Sequence, residues 1–325
     1  MRGEYKVKVK NSRNSYEFSL KRNITVLKGE SGRGKTTLFD MINEYNRFGK
    51  ESGVSIACDR EIVAVSGDKW EDDIRKNPGK IIVIDEDSHF IRSSDFARMV
   101  GGSDNYYLLI TRNYLSQLPI SVDEIYRLVG KKNKRFSRIF TDISKMYDKP
   151  DESALPFRPQ VIITEDSNSG YQFFNFIAQK NGIQCISAGG KAGVYRELAK
   201  HPDEKVVVIA DGAAFGAEIG DIVKQQELCP NRVGIFLPES FEWVILSSGA
   251  VSIKDSDKLY TPEKYADSVD FMSWEQYFTE LLVEEVKDSK YQKYSKTKLS
   301  DYYRQDRVER IILEFIKGID FAFVQ

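Results

Sequence analysis

The strongest constraint on this chain is the run Gly29-Glu30-Ser31-Gly32-Arg33-Gly34-Lys35-Thr36, set between the short apolar segment Ile24–Leu27 and the apolar-periodic segment 36–45. A strand that runs into a glycine turn and then a helix gathers backbone N–H groups around one point, and the positive end of the helix adds to their pull on an anion. The run fits G-x-x-x-x-G-K-[ST] at every position, in the strand-before, helix-after setting that gives the pattern meaning. It predicts a cradle for the phosphates of a purine nucleoside triphosphate, ATP with Mg²⁺, formed by Gly29, Glu30, Ser31, Gly32, Arg33, Gly34, Lys35, Thr36 and Thr37. Lys35 would reach the β- and γ-phosphates and the Thr36 hydroxyl would bind Mg²⁺. The alternative is a glycine turn that merely precedes a helix.

A second run completes the predicted site. Ile81-Ile82-Val83-Ile84-Asp85-Glu86 is a continuous apolar stretch ending in acids, the pattern of a buried parallel strand. Asp85 would hold Mg²⁺ and Glu86 would polarise the attacking water, and the second acid is what distinguishes a hydrolase from a binder. Tyr107-Leu108-Leu109-Ile110-Thr111-Arg112-Asn113 reads as a neighbouring strand. Its candidates are Thr111 as a γ-phosphate sensor and Arg112, whose alternative is a surface ion pair.

With these motifs the first half, about residues 1–130, resembles the P-loop ATPases of the additional-strand class, with a loop most similar to ABC- and AAA-like members. The resemblance implies ATP binding and hydrolysis, with Lys35, Glu86 and Thr111 as catalytic residues. No LSGGQ-like signature precedes the acidic strand, and the stretch between the two motifs is too short for a coiled-coil arm.

Ahead of the loop, Tyr5, Val7 and Val9 alternate with lysines, and Tyr16, Phe18 and Leu20 alternate with polar residues across the turn Asn11–Asn14, which predicts a β-hairpin. Short strands are expected at 54–58 and 62–65, and one more element of the same sheet at 121–129. Residues 130–158 change character: Lys131, Lys132, Lys134, Arg135 and Arg138 are followed by Pro150 and Pro156, so the domain boundary is placed near 150–157. The expected domains are 1–150 and 157–325.

The second half restarts a strand–helix alternation over 161–237, which predicts βαβ units around a parallel sheet, followed by a helical tail at about 273–287 and 297–317. Val161–Thr164 delivers Glu165 at a strand end, and Lys205–Ala210 delivers Asp211. Between them lies the glycine turn Gly189-Gly190-Lys191-Ala192-Gly193. Carboxyl ends of strands in an open α/β sheet are where sites form, and two such acids can share a divalent metal. This half resembles the Toprim fold of topoisomerases, primases and the overcoming-lysogenisation-defect nucleases. The resemblance implies metal ligation by Glu165 and Asp211. Ala213 stands where the family has its second Asp; Glu218 is the expected substitute, and Glu239 and Glu242 could also face the site.

The fold class expected is therefore α/β: a P-loop parallel sheet, then a Toprim-like α/β domain with C-terminal helices. The resemblance implies an ATPase that gates the second domain, in anti-phage defence or mobile-element biology. Two further readings stay open: an ATP-dependent sensor or scaffold with a degenerate Toprim-like domain, and a P-loop kinase. With 48 Lys and Arg against 49 Asp and Glu, net charge −1, the chain as a whole does not attract polyanions. Nucleic acid contact would need a local patch, such as 131–138 or 287–298, each of which also reads as a solvated segment. The partners expected are the triphosphate, nucleic acid or a phage or host protein, and another copy of the chain. No stretch approaches a membrane span. Three isolated cysteines, Cys58, Cys185 and Cys229, suit a reducing, cytoplasmic setting.

Overall fold

The computed structural model describes residues 1–29, 34–132, 139–147 and 156–321. The fold is mixed α/β and divides into two compact units, one of residues 1–148 with 261–273, the other of residues 149–260 with 274–325.

In the first unit, β1 (Tyr5–Lys10) buries Tyr5, Val7 and Val9 and exposes Lys6, Lys8 and Lys10, as a two-residue side-chain period requires. It pairs antiparallel with β2 (Asn14–Leu20) across a turn in which the Asn11 side chain accepts from the N–H groups of Arg13 and Asn14, at 2.9 and 2.7 Å. β3 (Ile24–Lys28) leads through the glycine loop to α1 (Lys35–Phe48), which buries Leu38, Phe39, Met41 and Ile42 along one face and stops at Gly49 in a positive-φ conformation. Next come β4 (Ser55–Ala57), β5 (Ile62–Val65), α2 (Trp70–Arg75), β6 (Ile81–Ile84), α3 (Ser94–Gly101) and β7 (Tyr106–Ile110). The last strands of this unit are β8 (Ile125–Lys132) and β9 (Ile139–Lys145).

Among the described residues these strands form one sheet in the order β4-β1-β2-β9-β8-β3-β7-β6-β5. The stretch β5-β6-β7-β3-β8 is parallel, while β8 pairs antiparallel with β9. Strands β6 and β7 are buried at every residue, which is why they read as unbroken apolar runs.

Two features depart from the sequence reading. Residues 139–145, within the stretch 130–158 where the sequence changes character, are a sheet strand that joins β8 to β2. Residues 261–273 group with the first unit, whereas the sequence places all of 157–325 together. There the Met1 ammonium meets Asp267 at 2.8 Å and the Ser268 hydroxyl at 2.7 Å, and Asn23 donates to the Met272 carbonyl at 2.8 Å. The basic residues Lys134, Arg135 and Arg138 lie outside the described residues.

The second unit runs β10 (Val161–Thr164), α4 (Ser169–Lys180), β11 (Gln184–Ser187), α5 (Val194–Leu198), β12 (Val206–Ile209), α6 (Ile219–Leu228) and β13 (Val233–Phe236). Then come α7 (Phe241–Ser248), α8 (Asp257–Tyr260), α9 (Trp274–Val286) and α10 (Asp306–Phe315). Its sheet is parallel throughout, in the order β11-β10-β12-β13. The chain leaves β10 for one side and returns to the other, so a crevice opens at the carboxyl ends of β10 and β12. Phe173 and Phe174 on α4 meet Phe241 on α7 in the core behind that crevice, with ring centroids 5.3 and 5.9 Å apart. Among the described residues no helix is long and apolar enough to cross a membrane.

Candidate functional sites

In the first unit, β7 lies between β3 and β6, and all three run the same way. Their carboxyl ends therefore deliver Gly29, Thr111 and Asp85-Glu86 to one edge of the sheet. Glu30, Ser31, Gly32 and Arg33 lie outside the described residues, but both ends of the loop are defined. Gly34 caps α1 with φ +94°, a region that L side chains avoid. A Cβ there would also stand 2.8 Å from the Tyr16 hydroxyl. Tyr16 reaches across from β2, donates to the Gly34 carbonyl at 2.9 Å and bonds the Thr37 side chain. It thereby holds the backbone on both sides of Lys35-Thr36.

Lys35 is buried, and its ammonium donates to the Gly29 carbonyl at 2.7 Å, closing the loop on itself. Burial lowers its pKa; the carboxylates of Glu86 and Asp85 oppose that shift, and Arg112 adds to it. Those influences place Lys35 in the same electrostatic neighbourhood as the acids. Asp85 is buried, and burial raises its carboxyl, while the Glu86 N–H bonded to its Oδ1 at 2.8 Å acts in the opposite direction. Glu86 is half-buried and is gripped by Arg112 through both oxygens, Nε to Oε2 at 3.1 Å and Nη2 to Oε1 at 3.0 Å. Such a two-point pair is stronger and more directional than a single contact. Thr36 is exposed in the first turn of α1. Thr111 is wholly buried, and its Oγ1 accepts from the Asn113 N–H at 3.0 Å. His89 is exposed beside Arg92.

This donor set fits a magnesium-bound triphosphate. It offers two positive-φ glycines at the ends of the loop, Gly29 and Gly34, one buried ammonium, one exposed hydroxyl and one buried carboxylate, with phosphate oxygens left to complete an oxygen-rich shell around the metal.

The second unit brings Glu165 and Asp211 together: the Asp211 N–H bonds the Glu165 carboxylate. Asp211 sits at the start of α7, where its Oδ1 accepts the Phe241 N–H at 3.2 Å. Gly212 is required beside it, because a Cβ there would stand 2.7 Å from the Leu237 carbonyl oxygen and 2.8 Å from that of Pro238. Both acids line a small cavity of about 30 Å³, together with Glu242, Ser169, Phe241 and Lys296. That volume holds a water or a single ion. Burial raises the Glu165 carboxyl to about 7, with Glu275 and Asp166 adding to the rise. Burial, then Glu275, raises Asp211 well above the ordinary carboxylate range against the pull of Lys296.

Glu218 does not complete this group. It caps α6 and is not among the residues that line the cavity. Ala213, at the position of the missing acid, is fully buried. Among the described residues no three His, Cys, Asp or Glu side chains are placed to hold a metal ion together. Lys296 brings a cation to these acids: its ammonium lies 2.5 Å from Glu275 Oε1, 3.5 Å from Asp211 Oδ2 and 3.7 Å from Glu242 Oε1, while Lys191 acts on Glu165. Burial pulls the Lys296 pKa down, but Asp211, Glu242 and Glu275 outweigh it and the net direction is up. The sequence leaves 287–298 open between a nucleic-acid patch and a solvated segment; the structure buries Tyr294 and half-buries Lys296. Its signal was only a Tyr-x-Lys spacing, Tyr294 and Lys296, whose burial depends on distant residues.

No family model matches this chain, and no curated protein matches it.

Proposed function

We propose that the first unit binds a purine nucleoside triphosphate with Mg²⁺ and hydrolyses it, and that the nucleotide state sets the state of the second unit. The observation that carries this reading is that Gly29, Thr111 and Asp85-Glu86 stand at one edge of three adjacent parallel strands. Thr36 and Asp85 are the residues that would hold Mg²⁺, which supplies Lewis acidity toward the phosphates when bound. Lys35 exchanges the Gly29 carbonyl for phosphate oxygens and balances their charge. Glu86 accepts a proton from the attacking water at a carboxylate oxygen, which requires that oxygen to part from Arg112.

For the second unit, the lysine among its carboxylates favours a sensor or scaffold over a metal-dependent nuclease. Roles in anti-phage defence or mobile-element biology, and nucleic acid, a phage or host protein or a second copy as partners, follow from the resemblance alone.

The test is release of inorganic phosphate from ATP by the full chain, with and without Mg²⁺, DNA and RNA. Release is expected to require Mg²⁺, and Lys35→Ala is expected to weaken triphosphate binding about tenfold or more, since it removes a buried charge-assisted contact. A chain that neither binds a triphosphate at millimolar concentration nor releases phosphate refutes the reading.

Tyr16→Phe tests the cradle from behind. It deletes the hydroxyl that ties β2 to Gly34 and Thr37 while keeping the ring in the core. The expected loss is about 1 kcal/mol, or roughly fivefold in triphosphate affinity, without a matching change in turnover at saturation. Unchanged affinity in a titration with a fluorescent triphosphate would mean that the cradle holds itself.

A further inference from the structure

The crevice of the second unit gathers carboxyl groups around the Lys296 ammonium, with Lys191 also acting on Glu165. Asp211, Glu242 and Glu275 surround one ammonium, and Glu165 stands beside Asp211. Glu242 is the telling residue. It lies in the first turn of α7 at 1% exposure, and its Oε1 accepts from the Tyr294 hydroxyl at 2.6 Å, yet its Oε2 is buried without a hydrogen-bond partner among the described residues. The Oε2 atom of Glu165 is buried and unpartnered as well, and both residues line the 30 Å³ cavity. Orphaned carboxylate oxygens around an ion-sized space are costly unless a cation serves them.

That cation arrives on a strap. Residues 289–299 contain no helix or strand, and they are laced to the start of α4. The Ser169 N–H donates to the Lys296 carbonyl at 2.8 Å, Gln172 donates to the Thr297 carbonyl at 2.8 Å, and the Leu299 N–H donates to Gln172 Oε1 at 2.9 Å. The strap thus fixes Tyr294 and Lys296 over the crevice.

We propose that Lys296 is the resident cation of this crevice, standing in for a divalent metal and excluding one, and that removing its charge turns Glu165, Asp211 and Glu242 into a divalent-cation site. Oxygen ligands of Mg²⁺ or Ca²⁺ stand about 2.0–2.6 Å from the ion. The Asp211 and Glu242 oxygens stand 3.5 and 3.7 Å from the Lys296 ammonium, which occupies the space between them and such an ion. Without it, their mutual repulsion and burial favour closure on a doubly charged ion. The consequence for the unaltered protein is a second unit locked by a covalently attached charge, insensitive to divalent ions.

The probe is Mn²⁺, titrated into the chelator-treated, nucleotide-free full chain and followed by electron paramagnetic resonance. Lys296→Met is expected to bind Mn²⁺ at least about tenfold more tightly than the unaltered chain, and adding Glu242→Gln is expected to abolish the gain. Lys296→Arg, which keeps the charge, should show no gain. Should Lys296→Met fail to fold, Lys296→Gln replaces it; recovery of its thermal transition by Mn²⁺ supports the proposal, and failure to recover overturns it. Equal binding by the unaltered chain and Lys296→Met, or a gain that survives Glu242→Gln, also overturns it. The nucleotide reading is unaffected by either outcome, because its failure is read separately with ATP and Lys35→Ala.

Discussion

Glu86→Gln is expected to lower the rate of phosphate release by about a hundredfold or more while leaving triphosphate binding near that of the unaltered chain. The substitution conserves shape and removes the charge that can accept a proton. Binding is expected to survive because the proposed phosphate contacts come from Lys35 and the glycine loop, and the proposed metal contacts from Thr36 and Asp85. Arg112 sharpens the expectation. In the structure it occupies both Glu86 oxygens, at 3.0 and 3.1 Å, so the carboxylate must be released before it can act. Glutamine breaks the charged pair as well, so a structural role for Glu86 alone would lower thermal stability and leave single-turnover release unchanged. Pre-steady-state phosphate release and equilibrium binding, measured on the same preparation, separate these outcomes. Equal rates for the two proteins would remove Glu86 from the mechanism; a parallel loss of binding would place it in the cradle instead.

Much of the first site's layout follows from patterns that act locally. Ile81–Ile84 and Tyr106–Ile110 are buried on both faces, so their apolar runs announce interior parallel strands, and the polar residues that end each run fall at the sheet's edge. The glycines at 29 and 34 need positive φ, which is a requirement of the turn itself. What local pattern did not carry is long-range. β9 has a mixed sequence, IFTDISK, and follows a basic stretch; its place is set by antiparallel pairing with β8 and parallel pairing with β2. Residues 261–273 join the first unit through the amino terminus and Asn23, contacts with no sequence signature. In the second unit the acids at strand ends, Glu165 and Asp211, were legible because β10 and β12 are short and continuous. The partners Glu242, Glu275 and Lys296 come from two helices and an irregular strap, and Lys296 sits among residues that by composition suit solvent. Glu218, expected from the sequence to stand one turn into the next helix and substitute for the absent acid, is not among the residues that line the cavity.

Arg22→Met is expected to destabilise the first unit more at pH 8 than at pH 5, by up to about 1.4 kcal/mol. Arg22 and Glu124 are both buried, with Nε 3.6 Å from Oε1, and Thr25 donates to Glu124 Oε2 at 3.0 Å. Burial raises the Glu124 carboxyl to about 7, against the opposing effects of Arg22 and Thr25. An acid whose folded pKa lies above its unfolded value binds more protons in the folded state between the two. Its contribution to stability is therefore greatest below about pH 4.5 and declines as pH rises toward 7. Arg22 limits that decline by stabilising the ionised form. Methionine fills similar volume but leaves Glu124 either charged and without Arg22 or protonated at a cost that grows with pH. With Arg22 gone the carboxyl can take up a proton, so the extra loss at pH 8 is capped at about 1.4 kcal/mol, the cost of holding a proton one pH unit above a pKa of about 7. At pH 5 Glu124 is protonated in the folded state, and the loss reduces to packing and hydrogen bonding. Urea unfolding at the two pH values measures the difference directly, and Arg22→Met combined with Glu124→Gln should recover most of the extra loss at pH 8. A destabilisation that is the same at both pH values would mean that the pair contributes through shape alone.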